Sequence, residues 1–219
     1  MSAQQIADEF IKGIANTTLL EYLAVISGIV SVWFSRKENI LVYPTGLVNT
    51  IIYIYLSFKY HLLGEASVNF YYTVMSLYGW WLWARRDSQQ NKVVTIKYST
   101  AKEWLQQLLF FTVFFVAIYV ALTYLKQSFA TGAIPWADAL ASASAFTGMW
   151  LMARKKVESW YWWIFTNICS IPLYFVKGLV FTSVYYLILL AMAFWGLAEW
   201  MRKAKEERKR KLFSFENKL

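Results

Sequence analysis

The chain has 219 residues, 58% of them apolar and 16% charged, with a formal net charge of +9. Its apolar residues run in long unbroken stretches without the polar face of a soluble helix, which excludes an ordinary soluble domain or solenoid. The positive charge invites a nucleic-acid reading, but its placement along the chain points to a membrane.

Residues 1–17 carry Asp8, Glu9 and Lys12 and lack the basic region and cleavage site of a removable signal peptide, so an outer N-terminal segment is expected there. About 20 mostly apolar residues cross a bilayer, and seven stretches approach that length: 18–34, 40–58, 62–84, 104–125, 134–153, 159–176 and 179–201. The first holds Glu21 near its outer end and the small residues Ser27, Gly28 and Ser31. In the second, Asn49 sits near mid-depth and Pro44 is either a kink or a first-turn proline. The third carries Glu65 and then Asn69, Tyr72 and Ser76, a polar stripe at helical spacing. A polar connection over 87–103 follows, with Val93 to Tyr98 briefly extended.

The fourth stretch has little that is polar and reads as a linker. The fifth begins with Asp138 and presents Ser144, Ala145 and Gly148 on one face, where small side chains let helices approach closely. The sixth contains Trp160, Trp162, Trp163, Asn167, Cys169 and Pro172. Trp163 and Asn167 are one turn apart on one side. An aromatic belt at the inner interface accounts for Trp160 and Trp162, and Cys169, the sole cysteine, for a small core residue. The seventh brings adjacent Tyr185 and Tyr186, of which one is expected to face inward. A basic tail completes the chain at 203–219.

Three of these stretches are a second copy of three others. Trp33, Asn49, Gly79, Trp83 and Arg85 return as Trp150, Asn167, Gly196, Trp200 and Arg202, and Glu21 and Ser27 return as Asp138 and Ser144. The fold expected is an all-α integral membrane protein with seven crossings arranged 3+1+3. The first repeat is 18–86, the linker helix 104–125 and the second repeat 126–202. An even displacement of four crossings makes the repeats parallel, with a binding site where they meet. With the N-terminus outside and the C-terminus inside, eighteen of the 22 basic residues fall on the inner side, and only Lys12, Lys59, Lys126 and Lys177 stay outside. That is the positive-inside bias of a plasma or inner membrane, and the tail is placed to touch anionic lipid.

An amide at mid-depth has donors and acceptors that lipid cannot satisfy, so Asn49 and Asn167 either bond helices together or hold a polar solute. Trp163 beside Asn167 suits a flat, hydrogen-bonding ring and attracts cations. Its counterpart position, Thr45, makes that plate one-sided. Asn69, Tyr72 and Tyr186 complete the candidate substrate site, with Glu21, Glu65 and Asp138 as an outer vestibule that concentrates cations or as ordinary helix-end acids.

The segments YPTGLVNTIIYIY, YGWWLWAR and RKKVESWYWWIFTNICS together resemble the PnuC family of bacterial vitamin transporters, over the whole membrane region. The resemblance implies a SWEET-like duplicated fold and a central site on Asn49, Asn69, Trp163 and Asn167. It also implies uptake of nicotinamide riboside, with thiamine, riboflavin or deoxynucleosides carried by related members. The family often has glutamine at the Asn69 position, so a differently shaped pocket is expected. No phosphate-binding GxxxxGK[ST] loop is present, and neither an acid nor a histidine lies at mid-depth, His61 being at the outer boundary. Facilitated diffusion is therefore expected, with accumulation by a downstream kinase. Neither cofactor nor metal is called for. The partners expected are the vitamin, lipid and a possible second copy, without nucleic acid. A retinal protein would need a lysine in the last stretch, which has none. An intramembrane enzyme would need clustered catalytic side chains, and a pure scaffold would leave the asparagines replaceable.

Overall fold

The computed structural model describes residues 3–60, 63–129 and 132–216, so His61 and Lys218 lie outside the described residues. These form eight α-helices: α1 (Ala3–Asn16), α2 (Leu19–Arg36), α3 (Val42–Lys59), α4 (Leu63–Ala84), α5 (Ala101–Phe129), α6 (Pro135–Ala153), α7 (Ser159–Val176) and α8 (Val180–Glu216). Helices α2 to α8 coincide with the seven apolar stretches. Three, within Leu19–Arg36, Ala101–Tyr124 and Val180–Arg210, are long and apolar enough to cross a membrane on length and hydropathy alone. Many large apolar side chains point outward, among them Leu105, Leu109, Val113 and Phe194. That is the surface of a protein whose solvent there is lipid.

Helix α2 starts where the Thr18 hydroxyl caps the Glu21 amide and the Glu21 carboxylate takes the Thr18 amide at 2.6 Å, a reciprocal capping box. Pro135 opens α6, where a missing amide hydrogen costs nothing. Pro44 is likewise in the first turn of α3, whereas Pro172 lies inside α7. Two helices exceed the sequence expectation. Residues 3–16 fold into α1, which packs on α8 through Phe10 and Gly13 against Phe181. The basic tail is helical too. At 1.5 Å per residue, the 37 residues of α8 reach about 55 Å, well beyond a hydrocarbon layer of about 30 Å.

Helix α3 packs between α2 and α4, and α7 between α6 and α8; α4 then meets α6, and α2 meets α8. The six therefore close a ring, with α5 outside it against α6 and α1 outside it against α8.

The contacts that close the ring at its basic end are reciprocal. Trp83 on α4 donates its indole N–H to the Ala153 carbonyl that ends α6 (3.0 Å). Trp200 on α8 donates to Ser35 and Arg36 at the end of α2 (3.1 and 3.2 Å). Each third helix thus bonds to terminal carbonyls of the other repeat's first helix. Tyr43 sits edge-on to Trp83 and is admitted by Gly79; Trp160 sits edge-on to Trp200 and is admitted by Gly196. A β-carbon on either glycine would overlap the ring it faces. The four rings join Val42, Ile96, Met152, Val157, Ala193 and Ala204 in one buried cluster. Trp160 is 1% exposed, and Trp162 is buried with its N–H on Gln107. The expected aromatic belt at Trp160 and Trp162 is thereby corrected: α7 is the middle helix of its repeat, so these indoles face protein.

The turns repeat as well. Glu38 (φ 60°) and Lys155 (φ 53°) occupy left-handed positions after α2 and α6, without the glycine usual there. The same backbone bonds close both turns, Asn39 N–H to Phe34 (2.9 Å) and Lys156 N–H to Leu151 (3.0 Å). Lys155 Nζ lies 2.6 Å from Glu38 Oε1, an ion pair between repeat equivalents. Burial pushes the Glu38 carboxyl up, but Lys155 and Lys92 outweigh it and hold the group below the ordinary carboxylate value. Between Asp87 and Thr100 the chain pairs briefly with the α6–α7 turn, Val157 N–H bonding to Lys97 at 3.1 Å, and buries Ile96 beneath the ring.

Candidate functional site

Above the aromatic cluster, the repeats stop matching. On one side Asn49, on α3, donates its amide to the Ala24 carbonyl of α2 at 2.7 Å. A β-carbon on Gly28 would stand 2.7 Å from the Tyr185 hydroxyl and 2.9 Å from Asn49 Nδ2, so α2, α3 and α8 converge there around a glycine. Opposite, Asn167 on α7 is 3% exposed, and its amide has no hydrogen-bond partner among the described residues. The amide is not among the fully enclosed, unsatisfied polar atoms, so it keeps an open side at which another group can bond.

Trp163, one turn before Asn167, is half-buried. Its ring lies against Gly148, whose β-carbon would stand 3.3 Å from Cε2 and Nε1. Tyr72 brings its ring to 6.2 Å from that of Trp163 and 6.1 Å from that of Phe146. In the first repeat Gly46 packs on the Ser31 hydroxyl, at 3.0 Å for a built β-carbon. Since Ser31 and Gly148 are counterparts, Gly46 rather than Thr45 is the structural counterpart of Trp163, and the same register corrects the expected pairing of the asparagines: Asn49 answers Thr166 and Asn167 answers Thr50. Thr45 bonds back to Leu41 at 2.6 Å. The plate is one-sided, its counterpart being the smallest residue there is.

Tyr185 and Tyr186 both turn into the ring, which corrects the expectation that one would. Helix α8 lies between α2 and α7, so neighbouring residues find different inward partners. Tyr185 goes to Gly28 and Asn49, while Tyr186 stacks on Tyr174 at 5.1 Å. Asn69 turns its amide back to the Glu65 carbonyl at 2.9 Å. The structure thus brings together Asn49 with Tyr185, and Tyr72 with Trp163, but does not bring the Asn69 amide to either group. Residues missed from the sequence are Phe146 and Tyr174, ordinary aromatics within apolar runs, where spacing carried no signal.

The outer acids have local work. Glu21 belongs to the capping box, and its counterpart Asp138 accepts the Ile134 amide at 2.6 Å and pairs with Lys177 at 2.7 Å. Helix capping is enough to account for the repetition of this acid pair. Among the described residues no group of three or more His, Cys, Asp or Glu could hold a metal ion.

A closed ring of two three-helix repeats, sealed at one end and carrying unlike polar and aromatic groups at mid-depth, is the build of a membrane transporter. The chain belongs to the family described as nicotinamide mononucleotide transporters, which matches residues 18–202. It is 25% identical over 213 residues to the nicotinamide riboside transporter PnuC of Escherichia coli K12, covering 88% of this chain and 89% of that protein. It is 23% identical over 183 residues to the riboflavin/roseoflavin transporter RibM of Streptomyces davaonensis, covering 83% and 84%. A crystal structure of the vitamin B3 transporter PnuC superposes with a TM-score of 0.70 at 23% identity, over 93% of this chain and 89% of that one, and shares the fold. The family is one of transporters and not of enzymes.

Proposed function

We propose that the chain carries nicotinamide riboside across a bacterial inner membrane by facilitated diffusion, between two repeats at 18–86 and 126–202 joined by the linker helix 104–125. In this reading α2 to α8 all cross, the N-terminus is outside, and the basic end faces the cytoplasm. The basic loops and the long α8 extension at that end support the orientation. The observation that carries the substrate reading is the Asn167 amide, without a hydrogen-bond partner among the described residues, one turn from the Trp163 ring. Nicotinamide riboside is a flat cationic ring with a carboxamide and a ribose. Trp163 stacks on the ring, Asn167 pairs with the carboxamide or a hydroxyl, and Tyr72, Asn49 and Tyr186 border the remainder. Asn69 reaches the substrate only after releasing Glu65. Glu65 sits at the mouth as the acid left without a capping role, beside Glu21 and Asp138 in the vestibule.

The aromatic cluster at the basic end is the inner gate, closed in this structure, and rocking of the repeats opens it. The relation to RibM makes riboflavin the rival substrate. Labelled nicotinamide riboside should enter proteoliposomes until the inside equals the outside, and should not accumulate without a kinase. Concentrative uptake into kinase-free vesicles would refute diffusion, and failure to enter would refute the substrate.

A further inference from the structure

A groove of about 440 Å³ lies between α5 and α6 on the outside of the ring, lined by Gln106, Phe110, Val113, Phe114, Trp150 and Arg154 among others. Its two ends differ chemically. Gln106, Phe110, Val113 and Phe114 share one face of α5 at spacings of three and four. Phe110 stacks on Trp150 at 4.8 Å, and Val113 is 56% exposed, so this portion is an apolar slot open to the surroundings. At the basic end the slot meets Arg154, whose guanidinium is held 5.2 Å from the Trp150 ring centre.

Among the described residues no carboxylate pairs with Arg154, and Gln106 is exposed with no hydrogen-bond partner. The nearby acid on α5, Glu103, is already neutralised by Lys156 at 2.6 Å and also accepts the Thr100 amide. Gln107, next to Gln106, is spent inward on Ser99 and Trp162. Lys102, one turn before Gln106, adds a second exposed cation. From Gln106 to Phe114 the helix rises about 12 Å, close to the depth of one leaflet's hydrocarbon, about 15 Å.

We propose that this groove binds an anionic phospholipid of the leaflet at the basic end. Its phosphate sits on Arg154 and Gln106, and one acyl chain lies along Phe110, Val113, Phe114 and Trp150. A guanidinium offers phosphate oxygens paired N–H donors, and the slot offers the chain an apolar wall that water never fills. A soluble phosphate would use the first half alone. The lipid would pin α5 to α6 and make the second repeat the fixed body against which the first moves.

The test is native mass spectrometry of the full chain in detergent, supplemented with phosphatidylglycerol or with phosphatidylcholine. Melting curves without added lipid confirm that each variant is folded. One phosphatidylglycerol per chain should be retained in preference to phosphatidylcholine. Arg154→Gln should weaken retention on the order of fivefold, as expected for one cation at a membrane surface. Val113→Trp, which fills the slot, should weaken it at least as much, Arg154→Lys should restore part of it, and Lys205→Gln in the exposed extension should leave it unchanged. Equal retention of both lipids, or retention unaffected by both groove variants, overturns the proposal. Displacement by glycerol phosphate at matching concentration also overturns it, in favour of a soluble phosphate. So does an oligomer that Val113→Trp splits without changing lipid retention, in favour of a second copy.

Discussion

The basic end and the middle of the ring use the same duplicated sequence in opposite ways. At the basic end, counterparts do one job twice: Trp83 and Trp200 clasp the opposite repeat, Tyr43 and Trp160 fill against Gly79 and Gly196, and Glu38 meets Lys155. At mid-depth the counterparts have parted. Gly46 stands where its counterpart is Trp163, and in that register Asn49, bonded to Ala24, answers Thr166, while Asn167, without a side-chain hydrogen bond among the described residues, answers Thr50. A gate between two parallel repeats is served by symmetry, because each half must close on the other. A site on the axis has to fit one molecule without twofold symmetry, and there symmetry is a handicap.

The comparison breaks most visibly at the glycines. Gly79→Leu and Gly196→Leu should each overpack the gate, cost about 1–3 kcal/mol in stability and abolish uptake. Because the two contacts are reciprocal, their melting shifts should agree; a large disparity would mean that the ends are not equivalent. Next come the mid-depth residues, which should separate instead of agreeing. Trp163→Ala and Asn167→Ala should each weaken substrate binding by about tenfold or more with little change in melting, in line with about 1.5–2 kcal/mol for a desolvated cation–π contact or a buried hydrogen bond. Asn49→Ala should lower stability by about 1 kcal/mol, as for an interhelical hydrogen bond in a membrane. Equal effects at the two asparagines on both readouts would remove the asymmetry.

Trp83→Phe and Trp200→Phe remove one indole donor each and should each cost about 1 kcal/mol in stability, read by thermal melting in detergent. The smallest effect is the pH dependence of the turn pair. The Glu38 carboxyl is held below its ordinary value, so its stabilising contribution is complete above that range and is lost as the pH falls through the folded value. Glu38→Gln should flatten the acid limb of the melting temperature. An unchanged acid limb would show that Lys155 does not hold Glu38 in solution.

The helices of the ring were legible because length and apolarity are properties of the chain alone, and the repeat offset paired Trp83 with Trp200 before any fold was known. The direction in which a side chain points was less legible. Trp160 and Trp162 near a helix end suit lipid interface and protein interior equally well, and the packing of α7 as a middle helix decides. Glu21 and Asp138 read as a repeated acidic feature; Thr18-x-x-Glu21 before an apolar run is a capping-box signature that could have been found, whereas the bond from Ile134 to Asp138 has no such mark. Helix α1 lacks a membrane span's apolarity, but Ile6, Phe10 and Ile14 at helical spacing mark it as an amphipathic helix that could have been found. The Glu38–Lys155 pair could have been found, since the offset that joined the tryptophans joins these two as well, with opposite charge at matching turns. Of the site, Trp163 and Asn167 were visible as an aromatic and an amide one turn apart. Tyr174 and Phe146 were not, because an aromatic inside an apolar run has no spacing signature.

The central claim is that an asymmetric mid-depth site on a symmetric frame holds nicotinamide riboside. Calorimetric titration of the purified chain with nicotinamide riboside, and in parallel with thiamine and riboflavin, tests it most directly. The account predicts one nicotinamide riboside per chain, with binding weakened about tenfold or more in Trp163→Ala and Asn167→Ala and kept in Asn49→Ala. Binding of riboflavin or thiamine in place of the riboside, or riboside binding indifferent to Trp163 and Asn167, would contradict it.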